Sequence, residues 1–257
     1  MTKFMGLTSN LMSEKWRMMN WIIIADLIFL VVIDLLRVVT GGWDGNLIPE
    51  YFLGTFMVSL GMANLVGFIL LTRKNEHVFT SNNYRLLPIS DTKLYFSNLL
   101  TTFAAFAYLQ ILEAVIGTII YFISGQSEFT LTPSRPDEPV GTLFLIIILA
   151  ILSTILLWAA ITVVHFVINW ISGFLPFGRQ KFVSFILYFV VTVLGIMIFD
   201  YTTGKVFTGI YSSAQGVTTL AQLTNVVWLG IGITVAWIVI FSAINIYLLK
   251  RWTETVR

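Results

Sequence analysis

The chain has 257 residues, of which 57% are hydrophobic and only 11% charged, with a mean hydropathy of +0.88 and a net charge of +2. Soluble domains carry about 25% charged residues, so this composition excludes an ordinary soluble fold and points to an all-α polytopic membrane protein with one transmembrane domain over 1–257. Cysteine is absent, which excludes a disulfide framework and thiolate metal sites.

Residues 1–18 carry Lys3, Glu14, Lys15 and Arg17 ahead of any apolar run, so they do not read as a cleavable leader. Phe4, Leu7, Leu11 and Met18 fall near one helical face and Lys3, Ser13, Glu14 and Arg17 largely elsewhere. The pattern predicts a short interfacial helix, anchored by Trp16 and Trp21 at its exit. A frayed basic tail is the plainer alternative.

Six stretches are then long and apolar enough to cross a bilayer, which takes about 20 residues: 19–40, 51–72, 97–123, 143–171, 182–199 and 226–249. With the N-terminus inside, twelve of the 15 Lys and Arg fall on the inner side, and only Arg37, Arg135 and Lys205 at or beyond the outer end. The positive-inside rule therefore predicts N-in and C-in. The third span is expected to start early, with Ser90 as N-cap, Asp91 in its first turn and Lys93, Ser97 and Asn98 ahead of its apolar body. The fourth run, at 29 residues, outreaches a hydrocarbon core of about 30 Å and must tilt or project. The outer stretch 200–225 holds one acid and one base among Val206, Phe207, Ile210, Tyr211, Val217, Leu220 and Leu223. It predicts a re-entrant helical hairpin, with a simple surface loop as the alternative.

Polar groups within spans are costly and mark candidate pathway or helix-pairing sites. They are Asp26 in the first span, Asn64 in the second, Gln110 and Glu113 in the third, and His165 with Asn169 in the fourth. Asp34 and Arg37, three residues apart, can pair at the outer end of the first span, a structural role. Glu113 reads equally as the lining of a substrate path or as an interhelical hydrogen-bond partner. Zincin, nucleophile-elbow and phosphate-loop motifs are all missing, so no enzymatic activity and no ATP hydrolysis are expected of this chain.

The polar stretch 73-RKNEHVFTSNNYRLLPISDTKLYFSN-98 is the longest inner connection. Pro88 cannot continue a helix and disfavours helical backbone at Leu87, so a helix ending before it and a new one capped by Ser90 make a rigid elbow. The basic-acidic start Arg73, Lys74 and Glu76, then Thr80, then 86-LLPIS-90 and Lys93 resemble the same loop in permease subunits of ABC-2 type exporters. The six-span topology extends that resemblance to the whole chain. Phe79 stands where the family commonly has glycine, and Ser81 or Asn82 where it has an acid.

The resemblance implies that residues 75–87 form a coupling helix against a partner ATPase. Glu76, Val78, Phe79, Tyr84, Leu86 and Leu87, with the Pro88 and Ser90 elbow, would be the coupling residues. It implies a second permease, identical or homologous, no cofactor on this chain with ATP and magnesium on the partner, no nucleic acid, and residence in a bacterial plasma membrane. Export of an amphipathic or hydrophobic substrate is expected: an antimicrobial peptide, a drug or a lipid-linked molecule. Two other readings remain open. One is a proton- or ion-coupled carrier using Glu113 and His165. The other is a non-transporting immunity or scaffold protein.

Overall fold

The computed structural model describes residues 4–41, 49–85, 88–123, 140–174, 181–211 and 220–251. The long helices are α1 (Phe4–Gly41), α2 (Pro49–Thr80), α4 (Asp91–Ile123), α5 (Val140–Phe174), α6 (Lys181–Ile210) and α7 (Leu220–Arg251); the four-residue α3 (Asn82–Arg85) lies between α2 and α4. Five of them, α2, α4, α5, α6 and α7, are long and apolar enough to cross a membrane. The remaining expected span, 19–40, lies in α1, where Asp26, Asp34 and Arg37 interrupt the apolar run.

Helix limits differ from expectation in α1, α2 and α6, and in the first two nothing in the extended stretch stops a helix. No glycine or proline occurs between Gly6 and Gly41, so residues 4–18 are the first part of α1 and no separate interfacial helix forms. None occurs between Gly67 and Pro88 either, so α2 carries on through Asn75–Thr80 and gives way only at Ser81-Asn82-Asn83, residues that favour turns over helix interiors. The coupling helix expected over 75–87 is thus the end of α2 followed by α3; Leu86 and Leu87 lie outside the described residues. Asp200 does not end α6, which extends to Ile210, so the first part of the expected outer hairpin is straight helix, and 212–219 lie outside the described residues. The elbow behaves as expected at its far side. The Ser90 carbonyl accepts the Leu94 amide at 3.0 Å, and Asp91 sits in the first turn of α4. At 35 residues α5 is about 52 Å long, well beyond a hydrocarbon core of about 30 Å.

The chain divides into two compact units. The first comprises residues 1–78 and 87–131, and so holds α1, most of α2, and α4. Contacts pair Thr8 with Ser97, Lys15 with Thr101 and Asn20 with Tyr108, so α1 and α4 run parallel. Glu14 meets Lys74, and Asp26 meets Ser59, so α2 runs against both. One end of this unit is packed by Leu30, Phe56 and Ile120. In the middle, Gly67 lets α2 approach its neighbours: a Cβ there would stand 2.8 Å from Leu109 Cδ2 and within 4 Å of Ile22 and Met19. Close approach at a small residue is how helices associate where hydrocarbon supplies no hydrophobic drive. Gly67→Leu should therefore cost about 1–3 kcal/mol through overpacking, read as a lower midpoint of thermal unfolding in detergent.

The second unit comprises residues 79–86 and 132–257. Thr142 pairs with Thr224 at 3.0 Å, Leu149 packs on Gly230, and the Asn245 amide donates to the Ala159 carbonyl at 2.9 Å, so α5 and α7 are parallel. Trp158 is fully buried on α5. The α6 helix joins α7 through Thr203, which accepts from the Trp237 indole at 3.0 Å. Phe79, fully buried, meets Phe166 of α5 edge-on at 5.4 Å. The chain thus leaves the first unit at Phe79, near the end of α2, lends a short segment to the second, and returns for α4.

Candidate functional site

The first unit holds a ladder of polar side chains between its helices. At its base Lys15 is fully buried. Its Nζ donates to the Asn98 carbonyl (2.9 Å), Asn98 Oδ1 (2.7 Å), Thr101 Oγ1 (2.9 Å) and Thr102 Oγ1 (2.7 Å). Asn98 Nδ2 in turn donates to the Asn75 carbonyl at 2.9 Å, and Thr102 donates to Asn75 Oδ1 at 3.2 Å. One cation therefore ties the start of α1 to the start of α4 and, through Asn75, to the end of α2. All four of its acceptors are neutral. Burial and the nearby Lys74 pull the Lys15 ammonium down to about 7, while Glu14 acts the other way.

The cage is built by periodicity. Leu7, Leu11, Lys15 and Met19 recur every fourth residue and form the buried face of α1. Sequence reasoning placed Lys15 among topology-setting inner cations. The legible signal was that spacing, together with Asn98, Thr101 and Thr102 one turn apart on the early part of α4.

Higher in the same unit Ser59, fully buried, donates to Asp26 Oδ1 at 2.7 Å. Asn64 Nδ2 donates to Glu113 Oε2 at 2.7 Å and to the Leu60 carbonyl at 2.9 Å, and Gln110 Nε2 donates to Asn64 Oδ1. Glu113 is 4% exposed, and its Oε1 is buried without a hydrogen-bond partner among the described residues. Three expected polar residues, Asn64, Gln110 and Glu113, are thus one cluster joining α2 to α4. Glu113→Leu removes the acceptor of Asn64 and should cost about 1–3 kcal/mol, whereas Glu113→Gln keeps an acceptor there and should stay within roughly 0.5 kcal/mol of the wild type, both read by thermal unfolding in detergent.

In the second unit His165 and Asn169 are joined as their spacing predicts. Asn169 Nδ2 lies 3.0 Å from His165 Nε2, and His165 Nδ1 lies 2.8 Å from the Tyr188 hydroxyl. An amide nitrogen can only donate, so Nε2 accepts and Nδ1 carries the proton toward Tyr188. Glu113 and His165 belong to different units, and each has partners in its own.

The expected coupling residues divide by exposure. Val78 and Phe79 are fully buried, Glu76 and Tyr84 half-buried, and Pro88 and Ser90 exposed, as are His77 and Asn83. The apolar residues nearest α2 therefore pack within the chain, and the segment presents a polar surface around Asn83 and the Pro88–Ser90 elbow. Among the described residues no group of three or more His, Asp or Glu could hold a metal ion. No protein-family model, curated protein or solved structure matches the chain.

Proposed function

We propose that this protein is the membrane permease subunit of an ATP-driven exporter of the ABC-2 type, paired with a second permease and docked to separately encoded ATPase subunits. The reading takes six spans with both termini on the inner side, where twelve of the 15 Lys and Arg would lie. It places the α2–α4 segment in the cytoplasm. The observation that carries it is the construction of that segment. It is an exposed elbow, capped by Ser90 and running straight into the 33-residue α4, while its Phe79 is locked against Phe166. A push on Pro88–Ser90 falls directly on the residues that open α4. The Lys15 cage then makes the first turns of α4, the start of α1 and the end of α2 move as one body, the kind of element that shifts rigidly between two states.

The substrate is amphipathic or hydrophobic, as the resemblance implies and as the scarcity of charged residues in the long helices supports. Co-expression with a candidate ATPase tests the assignment. The two should co-purify, and ATP hydrolysis should be stimulated by the membrane subunit. Tyr84→Asp combined with Leu87→Asp should abolish stimulation while the membrane protein keeps its unfolding temperature. Complex formation and stimulation that survive both changes would remove the coupling assignment. Transport that follows a pH gradient and persists without ATP would favour a carrier built on Glu113 and His165.

A further inference from the structure

The first unit contains a groove between α1 and α2 of about 660 Å3, within the range of small-molecule sites. Its walls are apolar: Met18, Ile22, Met62, Ala63, Val66 and Leu70. Trp21 and Phe29 also line it, and both rings are exposed. Among these side chains stands Asp26, half-buried, on the stretch 19–40 that the sequence predicts to span, where an acid is costly.

We infer that this groove binds a lipophilic organic cation, with the Asp26 carboxylate as its counter-charge and the Trp21 and Phe29 rings flanking it. Three observations support the assignment. Ser59, fully buried in the groove's floor helix, holds Asp26 through Oδ1 at 2.7 Å, so the carboxyl group is oriented before any ligand arrives. No cation pairs with Asp26 among the described residues. The other acid in the lining, Glu14, lies twelve residues before Asp26 and is engaged by Lys74 at 2.6 Å. Arg17, the cation in the lining, is nine residues and about 13 Å back along the helix, so it leaves the charge at Asp26 uncompensated.

A carboxylate in an apolar groove repels anions, gains little from neutral hydrocarbon, and attracts a cation whose body is itself hydrophobic. Aromatic faces add to the same preference through their quadrupoles. A compact ammonium with a tight hydration shell would have to shed it, so a delocalised or shielded cation fits best.

The inference gives the exporter reading a charge class for its substrate, and rests on that reading for the word substrate alone. Binding is therefore tested with neither ATP nor ATPase. The purified full chain in nanodiscs of a neutral phospholipid is titrated with the fluorescent lipophilic cation rhodamine 6G, followed by anisotropy, and with tetraphenylphosphonium as competitor. Saturable, competed binding is expected. Asp26→Asn, which still offers Ser59 an acceptor, should weaken it at least about tenfold, the effect of losing a charge partner near a protein surface. Ala25→Trp, which keeps the acid and fills the groove, should weaken it as much, and Asp34→Asn should leave it unchanged. Absence of saturable binding, equal affinity in Asp26→Asn, or equally tight binding of the neutral isostere tetraphenylsilane would overturn the proposal, the last leaving a groove for lipid chains only. None of these results bears on ATPase coupling, and a failed coupling experiment leaves the binding result standing.

Discussion

Lys15→Met lowers the stability of the protein by on the order of 3 kcal/mol at pH 9, and by less at pH 6. Methionine matches the length of the lysine stem but offers no donor to the cage. Asn98 Oδ1 then keeps no partner at its Lys15 side, and the hydroxyls of Thr101 and Thr102 lose an incoming donor while keeping their own bonds to the carbonyls of Ser97 and Asn98. The pH dependence follows from linkage. Lys15 sits near 7 in the folded chain against an ordinary 10.5, lowered first by burial and then by Lys74. The native state therefore binds fewer protons than the unfolded chain between those values, and its stability rises with pH across that window. Below about 7 both states hold the proton and the burial penalty is felt in full. Unfolding midpoints of the wild type minus those of Lys15→Met, measured from pH 6 to 10 in one detergent, should climb with pH. A difference that is flat, or that falls with pH, would show that the ammonium is at home in the cage and that burial has not lowered its pKa.

Phe79→Ala costs about 3–5 kcal/mol, because the ring is fully buried and meets Phe166 edge-on. Phe166→Ala should cost a similar amount, and the double variant clearly less than the sum, since the two rings share one contact. On the proposed coupling role the functional consequence is larger than the loss of stability. With Phe79 shortened, the segment 79–86 loses its anchor in the second unit, and the end of α2 can fray back toward Arg73. Limited proteolysis should then cut near Asn82–Arg85 in the folded protein. Under the proposed pairing with an ATPase, stimulation should fall even where the two still co-purify. Intact stimulation in a proteolytically loosened variant would separate the anchor from the coupling path.

Much of this architecture is legible in the amino-acid order. Ser90, Asp91 and Pro88 announce the start of α4 with local chemistry, and the helix begins there. The spacing of His165 and Asn169 gave their contact, because helix geometry alone fixes it. The limits of α1, α2 and α6 were harder to read. Hydropathy marks the apolar run and not the helix: α1 and α2 extend past it where glycine and proline are absent, and α6 runs on through Gly204 and Gly209. The candidate site was half legible. Asn64, Gln110 and Glu113 stood out as polar residues in apolar runs, yet their union depends on the register between α2 and α4, which no single segment encodes. Lys15 was hidden by its identity, since a lysine beside a first span is ordinarily a topology signal. Its burial arises from three helices at once.

The passage of residues 79–86 into the second unit has a consequence for biosynthesis. Phe79 is made 87 residues before Phe166, the ring it finally meets. At about 5–20 residues per second, roughly 4–17 s elapse between the two. For that interval the nascent chain can complete α1, α2 and α4 around the Lys15 cage while Phe79 waits without its partner ring. Ribosome pausing or a truncation anywhere before α5 would leave that ring exposed, a hydrophobic mark of an unfinished chain.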